Sequence, residues 1–438
     1  MPRRIGLIVG NGLAIDLRQT VEPLLADWDT QRPLQWSIAT PGQADQPFLE
    51  ALPHFDKAIR EVRETDPEIR DFDLIAKVLD GLPSEKASWT DDQGELVAEI
   101  RQFLAIAFSH YQEQVNQLNL EGWRWRSCIE SIRDYVAVAV SFNYDLLLET
   151  LFQLCGIQPR RFALREETTG VWLLKPHGSI DFAPNDLDFS IAGRVGYPLP
   201  IVVDLNNYSV RRLRESELTE PRLAADITLP SEYSPYGGFQ WVRPGYEWFT
   251  IGGAFLTEVW IIGLSYWKCD RQEINYILRC VPRSAEIKVV NPKWDDDLID
   301  YLRIRFSKIT LYSTCPESDT AKTIRTDVAV NPDTFTNETV RLTDLIFDSE
   351  VIVGLKFDHC RIIGPCVVYF AGSTVLGRNK FEAPRSISLW ETSEQGPGMG
   401  CIQLRDCTFL DCEFSGIGIA GPPDILSRIF LTEPEGAG

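Results

Sequence analysis

Residues 5–12 read IGLIVGNG, a mostly apolar run that ends in two glycines separated by an asparagine. A short apolar run bounded by glycine is typical of a buried strand. A strand that ends in glycines and leads into a helix is the phosphate-binding arrangement of doubly wound α/β folds. The two glycines also suit a tight strand-to-helix turn that binds nothing. The stretch predicts the first strand of a parallel sheet and leaves the role of its turn open.

Four later stretches resemble this first strand. They are VAVAVSF (136–142), VWLLK (171–175), EVWIIG (258–263) and EIKVVNP (286–292). Apolar strands that alternate with helical segments predict an α/β fold, a Rossmann-like parallel sheet covered on both faces. Residues 47–135 carry apolar residues three and four apart and predict a helical insertion. Residues 182–250 are rich in proline, glycine and aromatic residues and predict a loop-rich insertion over the strand ends.

Polar residues follow these strands directly. Asn143 and Asp145 come after the second strand, and His177, one of only 4 histidines, comes after the third. Ligands of such sheets bind beyond the carboxyl ends of the strands, so these side chains are candidate site residues. Two other interpretations stay open. Asn143 or Asp145 could cap the following helix, and His177 could be a buried histidine bonded to a carbonyl group.

A different period begins after residues 313–338, a polar stretch that we interpret as a linker. Apolar residues recur every five positions and define a third region, residues 339–432. The repeat positions are Leu342, Phe347, Ile352, Phe357, Ile362 and Val367, then Leu404, Phe409, Phe414 and Ile419. Neither a helix nor a simple strand has this period, whereas a stacked β-solenoid does, because each pentapeptide forms one side of a coil. The cysteines of this region are then small inward-facing fillers.

The composition limits the function classes. The chain of 438 residues has 43 basic and 63 acidic residues and a net charge of −20. This charge argues against broad binding to nucleic acid or to an anionic membrane. We find no secretory signal and no run of ~20 apolar residues, so we expect a cytoplasmic protein whose 10 cysteines are thiols. No C-x-x-C pair occurs, so we expect no zinc and no other metal site.

The order of the strand-end motifs resembles the sirtuin-like (silent information regulator) family, in particular its bacterial NAD-hydrolysing branch in antiviral defence. The resemblance is carried by Gly10-Asn11-Gly12, Asn143-Tyr144-Asp145 and His177-Gly178. Residues 340–370 and 400–420 resemble pentapeptide-repeat proteins, which implies a small C-terminal right-handed β-helix. The predicted domains are residues 1–312 for the NAD-binding hydrolase, the linker, and the solenoid.

The resemblance implies that NAD is the substrate. It places Gly10, Asn11 and Gly12 at the pyrophosphate, and Gly263 and Ser265 beside the adenosine half. Asn291 would lie near the ribose or adenine. Two departures from the sirtuin pattern count against protein deacetylation: no paired cysteines supply a zinc module, and LAIDLRQT (13–20) replaces the family's loop after the first turn.

The residue types suit cleavage of the nicotinamide–ribose bond, which passes through an oxocarbenium-like state. Neutral His177 suits the role of general base. Asn143 can hold the water or a ribose hydroxyl without adding charge. Asp145 could stabilise the developing cation or order the loop.

The leading prediction is an NAD⁺ glycohydrolase that acts as an antiphage effector and depletes NAD when triggered. The trigger would be a phage-derived or co-encoded protein, and the solenoid would mediate or modulate homo-oligomer assembly. The main alternative is a non-catalytic scaffold that senses NAD or ADP-ribose. A third, the protein deacetylase, is disfavoured by the missing zinc module.

Overall fold

The computed structural model describes residues 2–20, 24–83, 90–184, 210–220, 227–230, 241–316, 322–325, 334–337, 339–345, 351–381, 389–391, 401–421 and 426. The chain divides into two compact units. The first comprises Met1–Arg271 and Cys280–Asp327, and the second comprises Gln272–Arg279 and Val328–Gly438. No helix among the described residues has the length and apolar character needed to cross a membrane.

The described part of the first 327 residues contains both strands and helices. The strands are β1 (Ile5–Val9), β2 (Ala39–Thr40), β3 (Gln43–Pro47), β4 (Val136–Ser141), β5 (Pro159–Arg161), β6 (Val171–Leu174), β7 (Phe182–Pro184), β8 (Val210–Arg212), β9 (Glu258–Ile262), β10 (Glu286–Val290), β11 (Lys308–Tyr312) and β12 (Lys322–Arg325). The helices are α1 (Gly12–Thr20), α2 (Pro53–Thr65), α3 (Asp71–Asp80), α4 (Asp91–Asn116), α5 (Arg124–Ile132), α6 (Leu147–Leu154), α7 (Arg243–Gly252), α8 (Arg271–Cys280) and α9 (Asp296–Arg305).

Eight strands form one sheet in the order β12-β11-β10-β9-β1-β4-β6-β5. Every pair is parallel except β11 with β12. The predicted mixed α/β fold with a parallel sheet is therefore confirmed. The chain moves from β1 to β4 on one side and later returns to β9 on the other side of β1. This reversal is a topological switch point, the place where such sheets bind ligands.

The register of the strand pairing places the carboxyl ends of the central strands side by side. Val9 pairs with Ser141 on one side and with Ile262 on the other. Ile262 in turn pairs with Val290, and Val140 pairs with Leu174. The residues that follow β1, β4, β6, β9 and β10 therefore leave the sheet along the same edge.

Helices α2 to α5 lie between β3 and β4 in the chain and supply much of the buried apolar core. Helix α4 begins with a capping box, in which Thr90 accepts from the backbone N–H of Gln93 and the Gln93 side chain accepts from Thr90. On its buried face, Phe108 lies edge-on to Tyr144 with ring centroids 5.6 Å apart. This contact holds the Asn143–Asp145 turn against the helical insertion.

Apart from residues 272–279, which belong to α8, the second unit consists mainly of parallel strands. They are β13 (Thr334–Thr336), β14 (Thr339–Arg341), β15 (Val351–Val353), β16 (Lys356–Asp358), β17 (Arg361–Ala371), β18 (Val375–Gly377), β19 (Lys380–Phe381), β20 (Leu389–Glu391), β21 (Cys401–Arg405), β22 (Thr408–Leu410) and β23 (Glu413–Gly421). One sheet has the order β13-β16-β22-β18 and the other β15-β21-β17-β23-β19. Strand β22 thus lies between β16 and β18, so the stacking order differs from the order in the chain.

The five-residue spacing marks the interior of this unit. Phe357 stacks on Phe335 and Phe409, with ring centroids 5.0 and 4.5 Å apart. The predicted repeat position Val367 is half-buried, and Val368 occupies the core instead. The register of β17 shifts between Ile363 and Cys366, and this irregularity displaces the pattern by one residue. Of the region's cysteines, four are buried and one is half-buried: Cys360, Cys401, Cys407 and Cys412, then Cys366.

Several sequence predictions fall partly on residues outside the described part. Within the predicted loop-rich insertion 182–250, residues 185–209, 221–226 and 231–240 are outside. Within the predicted linker 313–338, the structure shows β12 and β13, while 317–321, 326–333 and 338 are outside. Phe347 and most of the tail after residue 421 also lie outside the described residues.

Candidate active site

A cavity of about 610 Å³ lies at the carboxyl ends of the central strands. Its walls come from the turns after β1, β4, β6, β9 and β10, and residues 30, 31, 70, 72 and 73 also line it. The lining includes all nine residues predicted from the sequence: Gly10, Asn11, Gly12, Asn143, Asp145, His177, Gly263, Ser265 and Asn291. The structure thus brings these residues together in one place.

The turns after β1 and β9 are in backbone contact. The Gly10 N–H donates to the Ile262 carbonyl at 2.9 Å, and the Gly12 N–H donates to the Gly263 carbonyl at 2.8 Å. A Cβ atom on Gly12 would lie 2.3 Å from the Gly263 Cα. Gly263 also has a φ of +56°, a conformation that favours glycine. The glycines are therefore required by the close approach of two turns.

This contact changes the expected role of the glycine turn. Because the N–H groups of Gly10 and Gly12 already donate to carbonyls, they are not free to donate to a ligand. What the turn still offers an anionic ligand is the positive end of the α1 helix dipole. Asn11, half-exposed at the tip of the turn, lines the cavity as well.

Asn143 is buried where β4 meets the cavity, with 7% of its surface exposed. Its Nδ2 donates to the Gly10 carbonyl at 3.2 Å, which links the turn after β4 to the turn after β1. Its Oδ1 accepts from no donor in the described part of the chain. This oxygen can therefore accept a hydrogen bond from a ligand hydroxyl or a water.

Asp145 lies two residues before helix α6, which begins at Leu147. Its Oδ1 accepts from the Leu147 N–H at 3.0 Å, the local capping contact foreseen as one alternative. The buried Lys175 ammonium donates to the backbone carbonyl of Asp145 and to Glu149 Oε1. Burial raises the pKa of Asp145 to about 6, although the positive charge of Lys175 offsets part of this rise.

His177 is held by both its ring and its backbone. Nε2 lies 3.0 Å from Asp270 Oδ1, and both side chains are buried at the cavity wall. The His177 carbonyl accepts from the Thr228 N–H at 2.9 Å, and Tyr144 Oη donates to the Thr228 carbonyl at 2.8 Å. The Asp270 carboxylate accepts a hydrogen bond from a protonated Nε2 and so favours the tautomer of the neutral ring that carries its proton on Nε2. In that tautomer Nδ1 is the basic nitrogen.

Asp270 is the site residue that sequence reasoning missed. It lies in LSYWKCD after β9, several residues past the strand end, and no spacing rule links it to His177. With 63 acidic residues in the chain, a single aspartate carries little signal. The fold reveals the pair because β9 and β6 end at the same edge of the sheet.

The adenosine-side residues predicted from the resemblance form a second group in the cavity. Asn291 Nδ2 donates to the Leu264 carbonyl at 3.2 Å and so orders the turn that follows β9. Ser265 is exposed at this turn. Asp295 accepts from the backbone N–H groups of Tyr266 and Leu298, both at 3.2 Å, which joins the turn to the start of α9.

The cavity wall carries charges of both signs. Its carboxylates are Asp73, Asp145, Asp270 and Asp295, and its cations are Arg70, Lys268 and Arg271. Arg271 pairs with Asp297 and lies over the Tyr266 ring, with 4.8 Å between Cζ and the ring centroid. Arg70 has no ion-pair partner among the described residues. Its guanidinium group is thus available to an anionic ligand.

Comparison with known proteins gives no family for this chain: a scan against protein-family models found no match, and a search of curated proteins found no similar sequence. A group of side chains spaced to hold a metal ion, Asp358, His359 and Asp411, occurs among the described residues of the second unit, and no such group is found among those of the cavity.

Asp145→Asn is expected to raise stability more at about pH 8 than at about pH 5. The raised pKa means that the protonated carboxyl stabilises the fold at low pH and that this contribution is lost as the pH rises through about 6. The whole shift corresponds to ~3 kcal/mol, of which about half is lost between about pH 5 and about pH 8, and asparagine avoids this loss while it keeps the contact with Leu147. Urea unfolding of both proteins across this pH range measures the difference.

Asp406→Asn provides the contrast for this experiment. Hydrogen bonds from Ser373 lower the pKa of Asp406, so the effect of that substitution should stay constant from about pH 5 to about pH 8. A difference between Asp145→Asn and the wild type that does not change with pH would show that Asp145 ionises in the folded protein as an exposed carboxyl does.

Proposed function

We propose that this cavity binds NAD⁺ and hydrolyses its nicotinamide–ribose bond. One observation carries the proposal: the His177–Asp270 pair, Asn143 and the glycine contact of β1 with β9 all line a single cavity at the switch point of the sheet. The cavity volume of about 610 Å³ lies within the range of about 300–1,000 Å³ usual for ligand sites.

The lining offers a place for each part of a dinucleotide. The positive end of the α1 dipole, next to the Gly10–Gly12 turn, favours the negative pyrophosphate, and Arg70 supplies a positive charge. The exposed hydroxyl of Ser265 suits the adenosine half. Phe142, in edge contact with His177 at 5.2 Å, gives the nicotinamide end an apolar wall.

In the proposed reaction the C1′–N1 bond breaks and its electron pair stays on nicotinamide, which leaves as a neutral molecule. A water oxygen bonds to C1′ of the oxocarbenium-like ribose, and the products are nicotinamide and ADP-ribose. His177 takes the proton that the water loses. Asp270 keeps the imidazole oriented and stabilises it once it is charged, while Asn143 Oδ1 accepts from the water or a ribose hydroxyl.

The biological setting that we propose is depletion of cellular NAD during phage infection, started by a protein trigger. The resemblance of the strand-end motifs to those of the sirtuin-like defence branch motivates this setting. An effector of this kind is held inactive until its trigger binds, so the untriggered protein is expected to bind the nucleotide but to turn it over slowly.

Two measurements on the full chain test the proposal. Calorimetric titration with ADP-ribose, the proposed product, should show saturable binding, and incubation of NAD⁺ with excess enzyme should release equal amounts of nicotinamide and ADP-ribose. Binding without release of nicotinamide, even with cell extract from infected bacteria, would favour the sensing scaffold. Absence of both binding and release would contradict the proposal.

For the second unit we propose a right-handed β-solenoid of pentapeptide repeats that mediates assembly or binds the trigger. The five-residue spacing of buried positions and the Phe335–Phe357–Phe409 stack support this view. Light scattering of the full chain should give a multiple of the chain mass. A monomer that stays monomeric in the presence of an identified trigger and does not bind it would contradict this role.

A further inference from the structure

A second cavity, of about 400 Å³, lies in the first unit beside α4 and α6. The mechanism proposed above uses none of its residues. Its described lining combines four carboxylates and two guanidinium groups with amide and leucine side chains. The charged members are Glu149, Glu167, Asp181, Glu215, Arg161 and Arg212.

The cations of this cavity are already paired. Arg161, which is 2% exposed, pairs with both Glu167 and Asp181. Arg212 Nε lies 3.4 Å from the same carboxylate of Asp181. Behind the wall, Lys175 Nζ donates to Glu149 Oε1 at 3.1 Å. Counting Lys175, three cations face four carboxylates, so the described group carries one excess negative charge.

Glu215 carries the unmatched charge, and Glu149, although paired with Lys175, has one oxygen without a donor. Glu149 is 5% exposed, and its Oε2 has no hydrogen-bond partner among the described residues. Glu215 is exposed, and its Oε1 accepts from Asn116 Nδ2 at 2.9 Å without an ion pair in the described part. A buried carboxylate oxygen without a donor is costly, and a cationic N–H donor would compensate it.

We propose that this second cavity binds a small ligand that carries one guanidinium or primary amine group on a short apolar stem. The cation would pair with Glu149, and the stem would lie against the leucines of the wall. Gln153, an exposed amide in the lining, can offer its carbonyl oxygen to a donor-rich group. The proposal concerns binding alone and does not depend on the NAD reaction.

Calorimetric titration of the full chain with methylguanidinium tests this directly, with methylurea as a neutral probe of the same shape. Fragments of this size bind weakly, so we expect a Kd on the order of millimolar for methylguanidinium and at least about tenfold weaker binding of methylurea. Glu149→Gln keeps the side-chain volume and should weaken methylguanidinium binding by at least about tenfold. Asp73→Asn, in the first cavity, should leave it unchanged.

Glu215→Gln gives a second variant because Glu215 is exposed and its replacement does not threaten folding. It should weaken binding by about threefold or more even if Glu149→Gln does not fold. Equal binding of the two probes, no saturable binding up to about 50 mM, or binding unchanged in both glutamine variants would overturn the proposal.

Discussion

His177→Gln is expected to lower the rate of nicotinamide release from NAD⁺ by about 100- to 10,000-fold, the usual contribution of a positioned general base. Glutamine keeps much of the side-chain volume and can still contact Asp270, but it cannot accept a proton at neutral pH. Binding of ADP-ribose should therefore change by less than about threefold. Release of nicotinamide measured by chromatography, with calorimetry for binding, separates the two effects.

Two further variants sharpen this result. His110→Gln is the matched control, because His110 lies on α4 and contacts Glu113 at 3.1 Å, outside the lining of the cavity. It should keep wild-type activity. Asp270→Asn should lose less activity than His177→Gln, because Asp270 acts through the orientation and charge of the imidazole. Wild-type turnover in His177→Gln would show that another group takes the proton.

Gly12→Ala is expected to destabilise the first unit by about 3 kcal/mol and to weaken ADP-ribose binding by at least about tenfold. The added methyl group would lie 2.3 Å from the Gly263 Cα, and neither backbone has a flexible side chain that could move aside. The turns after β1 and β9 must then separate, which disrupts the floor of the cavity. Urea unfolding and calorimetric titration measure the two effects.

Gly122→Ala is the matched control for this substitution. A Cβ at Gly122 meets no atom within 4 Å, so its effect on stability should stay within about 0.5 kcal/mol. If Gly12→Ala were as stable as Gly122→Ala and bound ADP-ribose normally, the contact of the two turns would not be required for either the fold or the site.

The five predicted strands of the first unit could be found because their residues are largely apolar on both faces. IGLIV and EVWIIG are short, nearly continuous apolar runs, and a parallel sheet buries such runs completely. Because parallel strands end at the same edge of a sheet, the residues directly after them could also be placed together at that edge. Strand β5 escaped detection because PRR has no apolar character, and its place at the sheet edge is set by pairing with β6.

The pairing of side chains across the site could not be predicted. His177 and Asp270 are 93 residues apart, and their contact depends on where the loop after β9 turns back. In the second unit the five-residue period located most buried positions. The period did not predict that β22 lies between β16 and β18. The stacking order depends on contacts between segments, and a local period does not record those contacts.

The most direct test of the central claim is a crystal structure of the His177→Gln variant with NAD⁺, since this variant should retain the uncleaved dinucleotide. We predict that the pyrophosphate lies beside the Gly10–Gly12 turn, that the adenosine half lies near Ser265 and Asn291, and that the nicotinamide ribose faces residues 143 and 177. A dinucleotide bound outside this cavity, or an empty cavity at saturating NAD⁺, would contradict the assignment of the site.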